Sequence, residues 1–214
     1  MFDAFLFDFD LTLANTSENI ICCCNHALAR MGHRRAAPED ILACVGKTVE
    51  ESYAKLTGVT DEAQALRFHE FWREKANELG DSGAYLYPDV IPALSRLKKA
   101  GRQVAIVSNK TSHRIASMLK SLGAEGLVGL ILGIELCPEP KPAPDGLSLA
   151  LEKMGVPPEK GLYVGDSLVD FLTARAAGVS FAAVTTGTTT AEDFRGAGAE
   201  RVFPSIGAIV EEYA

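Results

Sequence analysis

Four aspartates, a serine and a lysine stand just past short apolar runs, where a buried strand would open onto solvent. Asp8 and Asp10 follow the run FLF in FDAFLFDFDLT, and Ser108 and Asn109 follow QVAIV. Lys141 lies in the turn PEPKPAPD, and Asp166 closes GLYVGD with Asp170 one helical turn later. Crowded carboxylates repel one another unless a cation joins them, and a set of hard oxygen donors selects Mg²⁺. Asp8 and Asp10 alternate along an extended chain, so they point to opposite faces until the chain turns near Asp10. A lysine and a hydroxyl nearby supply the positive charge and the hydrogen-bond donor that a transferring phosphoryl group requires. An aspartate set directly after an apolar run is costly to bury alone, which favours a charged partner over a bare strand end.

The elements that must position these residues are legible from periodicity. FDAFLFDF, QVAIVSN, LVGLILGI, GLYVGD, SFAAVTT and RVFP are apolar runs of strand length. Helical patterns separate them. PDVIPALSRLKKAG carries Asp89 as a predicted N-cap and Gly101 as a stop, and TSHRIASMLKSLG, APDGLSLALEKMG and SLVDFLTARAAG follow the same plan. Apolar strands alternating with amphipathic helices predict an α/β doubly wound, Rossmann-like parallel sheet covered on both faces. Ligands bind such sheets beyond the carboxyl ends of the strands, where the polar residues above fall.

One stretch breaks the alternation. From residue 15 to about 83 only helical patterns occur, which predicts a core of residues 1–14 and 84–214 and an inserted helical cap of residues 15–83. In ENIICCCNHALARMG, Ile20, Ile21, Cys24, Ala27, Leu28 and Met31 share one face, and Asn15 with Glu18 is spaced as a capping box. Thr48 and Glu51 repeat that spacing. Phe68, Phe71 and Trp72 are expected in the cap core, and Cys22, Cys23 and Cys24 on a packed helix face. The four histidines show no spacing that builds a ligand set. Lys47, just before a helix in CVGKTVEE, is a candidate contact for a substrate carboxylate.

Composition excludes several classes. Lys+Arg 21 against Asp+Glu 28 gives a net charge of −7, without the basic excess that nucleic-acid phosphates require. The apolar stretch GLVGLILGIEL is about half the length of a bilayer span. MFDAFLFDFD has acidic residues interrupting its apolar run and does not read as a secretory signal. Five cysteines without CxxC spacing read as reduced thiols, so a cytoplasmic location is expected.

DFDLT, SNK, KPAPD and GDSLVD, in that order and each at a strand end, resemble the haloacid dehalogenase superfamily, more narrowly its phosphoglycolate-phosphatase-like branch with a helical cap. The resemblance implies Asp8 as the nucleophile forming an aspartyl-phosphate and Asp10 as the acid and then the base. It implies Ser108 and the backbone at Asn109 on the phosphoryl oxygens, Lys141 neutralising charge, and Thr12 supporting the loop beside the substrate. Mg²⁺ would rest on the Asp8 side chain, the Asp10 carbonyl and Asp166, with Asp170 behind these ligands or reached through water. The implied substrate is a small phosphorylated metabolite, phosphoglycolate first, and the implied assembly a monomer or homodimer. Leu11 stands where many members carry Gly. A sugar-phosphate mutase of the β-phosphoglucomutase type shares these motifs and is the nearest alternative. A dehalogenase would not need Asp10. A phosphonatase would place a Schiff-base lysine in the cap, and a phospho-accepting signalling domain would need no insert.

Overall fold

The computed structural model describes residues 1–214. In chain order the elements begin with β1 (Ala4–Phe7), β2 (Ala14–Asn15), α1 (Ser17–Arg30), α2 (Pro38–Leu42), α3 (Val49–Thr57), α4 (Glu62–Leu79), β3 (Tyr85–Leu86) and α5 (Val90–Lys99). They continue with β4 (Gln103–Val107), α6 (Ser112–Ser121), β5 (Leu130–Leu132), α7 (Asp145–Met154), β6 (Gly161–Gly165), α8 (Leu168–Ala176), β7 (Ser180–Val184), α9 (Ala191–Gly196), β8 (Val202–Phe203) and α10 (Ile206–Tyr213). The chain divides into two compact units, Met1–Asn15 with Tyr85–Ala214, and Thr16–Ala84.

The first unit is built on a parallel sheet of order β5-β4-β1-β6-β7-β8. All six apolar runs of the sequence are its strands. β1 sits inside the sheet, with Phe7 in register with Ile106 of β4 on one side and Val164 of β6 on the other. Ala4 and Leu6 pack into a cluster with Leu147, Ala150 and Leu151 of α7 and Ala174 of α8. Phe5 and Phe7, on the opposite face of the strand, are fully buried as well. Burial of both faces is why the strands read as continuous apolar runs rather than alternating ones. Two short strands escaped the sequence reading. β2 and β3 pair antiparallel, Asn15 opposite Tyr85, where the chain leaves and rejoins this unit.

The second unit is helical. Cys24, Ala27 and Leu28 of α1 are buried with Tyr53 and Phe68, and Ile20, Ile21, Met31, Phe71 and Trp72 pack against them. The Thr48–Glu51 capping box forms at α3. The Asn15–Glu18 box does not. Thr16 precedes α1 without a side-chain cap, and the Asn15 amide donates to the Tyr85 hydroxyl. Asp89 likewise makes no cap bond at α5, because its carboxylate accepts the Gly207 N–H at 2.6 Å. All five cysteines are free, and no helix is long and apolar enough to cross a membrane.

Candidate active site

The carboxyl ends of β1, β4 and β6 adjoin, since β1 lies between the other two. The loop after β1 turns sharply. The N–H groups of Thr12, Leu13 and Ala14 all approach the Phe9 carbonyl, and Leu11 adopts a left-handed φ of 61°. That conformation costs a leucine roughly 1–2 kcal/mol and explains why Gly suits this position. Leu11 is held there from both sides: its N–H donates to Ala14 O at 2.7 Å, and its carbonyl accepts the Thr186 hydroxyl at 2.6 Å. The turn is the one that two aspartates on an alternating strand require.

Lys141 is the buried cation of the site. Its ammonium lies 2.6 Å from Asp170 Oδ1, 3.0 Å from Asp8 Oδ1 and 3.1 Å from the Tyr163 hydroxyl. The Asn109 side chain grips its backbone, donating to Lys141 O at 3.2 Å and accepting Lys141 N–H at 3.0 Å. The Lys141–Pro142 peptide is cis. Burial disfavours the ammonium, but Asp170 and Asp8 outweigh it and hold the Lys141 pKa above its ordinary value.

The carboxylates differ in what surrounds them. Asp170 Oδ1 accepts from Lys141 and Tyr163, and its Oδ2 accepts the Ser167 N–H at 3.1 Å and hydroxyl at 2.6 Å, so its four lone-pair directions are engaged. Asp166 accepts the Thr12 hydroxyl at 2.7 Å on one oxygen only. Asp8 Oδ1 is buried without an aligned hydrogen-bond donor, although Lys141 is within ion-pair distance and, with Ser108 nearby, favours the charged carboxylate. Burial pushes the Asp8 pKa up to about 6, against the pull of Lys141, and burial with Asp170 and Asp8 nearby holds Asp166 well above the usual carboxylate range.

Oxygens of Asp8, Asp166 and Asp170 lie within 4.8 Å of one another. Donors on opposite sides of a Mg²⁺ ion stand roughly 4.2 Å apart, so the cluster fits a small divalent ion after slight adjustment. Asp166 keeps one oxygen without a hydrogen bond that could face such an ion, whereas both Asp170 oxygens are already engaged by Lys141, Tyr163 and Ser167. The Asp10 carboxylate is outside this cluster. Thr12, expected beside the substrate, is fully buried and gives its proton to Asp166, so its hydroxyl orients a carboxylate. Asn109 acts on the Lys141 backbone, and Lys47 is an exposed residue of the helical unit.

A family model for haloacid dehalogenase-like hydrolases matches residues 5–184. The chain belongs to that family. The pyrophosphatase PpaX of Bacillus velezensis is 30% identical over 181 residues, covering 85% of this chain and 82% of the relative. A phosphoglycolate phosphatase of Pseudomonas savastanoi pv. phaseolicola is 29% identical over 189 residues, covering 85% of this chain and 69% of the relative. A solved haloacid dehalogenase-like hydrolase from Bacteroides fragilis aligns with a TM-score of 0.94 at 39% identity, covering 98% of this chain and 100% of that one. The chain is accordingly a hydrolase of phosphoric esters.

The sequence reading of this hydrolase overlooked two residues. Tyr163, a lone polar residue within an apolar strand, donates its hydroxyl proton toward Val107 O and Asp170 and accepts from Lys141. Its interruption of the run GLYVG was the available signal. Lys110, the third residue of SNK, closes on Asp10 with its ammonium 2.9 Å from Oδ1 and 3.3 Å from Oδ2.

Two predictions follow from this geometry. A Cβ at Gly187 would stand 1.9 Å from Asp166 Oδ2, so Gly187→Ala must displace that carboxylate. Denaturant unfolding should show a loss of roughly 1–3 kcal/mol; undiminished stability would mean the loop yields without disturbing Asp166. The second concerns pH. A carboxyl whose pKa is higher folded than unfolded stabilises the fold at low pH and loses that contribution as pH rises through the folded value. In EDTA, the hydrolase should therefore lose on the order of 3 kcal/mol more stability between pH 4 and 7 than Asp8→Asn does, from the shift of Asp8 from 3.8 to about 6. Equal losses would contradict the raised Asp8 value.

Proposed function

We propose that this hydrolase is a Mg²⁺-dependent phosphatase of small phosphorylated metabolites, working through an aspartyl-phosphate on Asp8. One observation carries the reading: a buried carboxylate oxygen, without an aligned donor, standing 3.0 Å from a fully enclosed ammonium. A group so placed is suited to attack an electrophilic centre whose negative oxygens the ammonium receives.

In the first step an Asp8 oxygen bonds to phosphorus as the bond to the leaving oxygen breaks, and Asp10 passes a proton to that oxygen. Ser108 donates to a phosphoryl oxygen, and Lys141 balances its charge. In the second step water attacks phosphorus, the Asp8–phosphorus bond breaks, and Asp10 takes the proton of the water. Asp8, Asp166 and the Asp10 carbonyl, with Asp170 behind them, would hold Mg²⁺, which would supply further charge neutralisation on the phosphoryl group. Asp8 and Asp166 are the carboxylates that such a cation would keep ionised.

The names of the relatives make pyrophosphate and phosphoglycolate the first esters and anhydrides to assay, beside hexose phosphates and nucleoside monophosphates. Phosphate release should require Mg²⁺ and stop in EDTA. Asp8→Asn should abolish turnover with the fold intact, and Asp10→Asn should slow it about 10²- to 10⁴-fold. Full activity in Asp8→Asn would remove the nucleophile assignment, and metal-independent release would remove Mg²⁺.

A further inference from the structure

The proposed steps leave one cation of the site without a task. Lys110 forms an ion pair with both oxygens of Asp10, and the two side chains are 14% and 16% exposed. The residue is firmly placed. Its N–H donates to Ser108 Oγ at 3.3 Å, and its carbonyl accepts the Ile134 N–H at 3.2 Å. Gly133 permits that close approach, since a Cβ there would come 2.7 Å from Lys110 O and 2.1 Å from the Ser112 nitrogen.

The two lysines divide the site. Lys141 is enclosed among Asp8, Asp170 and Tyr163, on the side of the attacking oxygen. Lys110 borders Asp10 and keeps partial access to solvent. A buried ion pair contributes little net stability once desolvation is counted, so stability alone gives little reason for a lysine at this position. The proton donor to the leaving oxygen must stand against the leaving group, and a cation touching that donor is within reach of the same group.

We propose that Lys110 is a specificity-determining residue that receives a second anionic group on the leaving side of the substrate, a carboxylate or phosphoryl close to the scissile oxygen. The inference rests on the reading of Asp10 as the proton donor. Lys110 would then bridge Asp10 and the substrate's second anion, which fixes the leaving oxygen against the acid. Substrates with neutral leaving groups would leave that bridge unmade.

The test compares kcat/KM for phosphoglycolate and for ethyl phosphate, which are similar in size and differ in the carboxylate. Wild type should favour phosphoglycolate, and Lys110→Met should cut the ratio of the two values by about tenfold or more, the worth of one charge-assisted hydrogen bond. Lys110→Arg, which keeps the charge, should retain most of the ratio. Should Lys110→Met fail to fold, Lys110→Gln gives the same reading. Equal losses on both esters would show that Lys110 only holds Asp10, and overturn the proposal. So would a wild type without preference. Turnover by wild type of neither ester would overturn this inference, and the phosphatase reading falls with it if pyrophosphate, hexose phosphates and nucleoside monophosphates are not hydrolysed either.

Discussion

Four aspartates at one edge of a sheet, with two lysines among them, set a charge problem that the rest of the site answers. Asp8, Asp166 and Asp170 are almost wholly out of water, and Asp10 nearly so. Lys141 and Lys110 neutralise part of this charge. What remains after two ammonium groups is the charge of one divalent cation, or protons on carboxyls whose affinity for them burial has raised. Much of the surrounding construction holds the compensating groups still. Tyr163 stands under Lys141, Asn109 clamps its backbone, and Ser167 locks Asp170. Asp170, as the third residue of α8, also completes a capping box with Ser167, so one side chain both starts a helix and anchors the cation.

Topology makes the crowding possible. A parallel sheet gathers strand ends at one edge, and β1 between β4 and β6 lets residues from distant sequence meet over a central strand. Close backbone approach then becomes a requirement. A Cβ at Gly165 would stand 2.4 Å from the Asp170 side chain, and Gly187 passes directly over Asp166. Leu11 departs from this economy of glycines. It sustains a left-handed turn through one backbone hydrogen bond to Ala14 and one from the Thr186 hydroxyl instead.

Much of this was legible in the residues. The inner strands, buried on both faces, write unbroken apolar runs, and the half-buried edge strands β5 and β8 are apolar as well, so all six sheet strands could be read, and the aspartates, serine and lysine that follow them were marked by position. Signals failed where a partner is distant in sequence. Asn15 and Glu18 have the spacing of a capping box, but Tyr85, 70 residues on, offers Asn15 a competing bond within a strand pair too short to show a period. Lys110 reads as a loop lysine because its partner lies 100 residues away. Thr12 and Asn109 could be singled out by their motifs, but that they bind Asp166 and the Lys141 backbone depends on folded geometry that spacing does not encode.

The central claim is that Asp8 carries the phosphoryl group during turnover. The most direct measurement is acid quenching of Asp10→Asn mixed with Mg²⁺ and a turned-over ester, followed by mass analysis of the peptide containing Asp8. The account predicts one added phosphoryl group on Asp8, absent when Asp8 is replaced by Asn. Steady hydrolysis with no label on that peptide at any quench time, or a label carried by another residue, would contradict it.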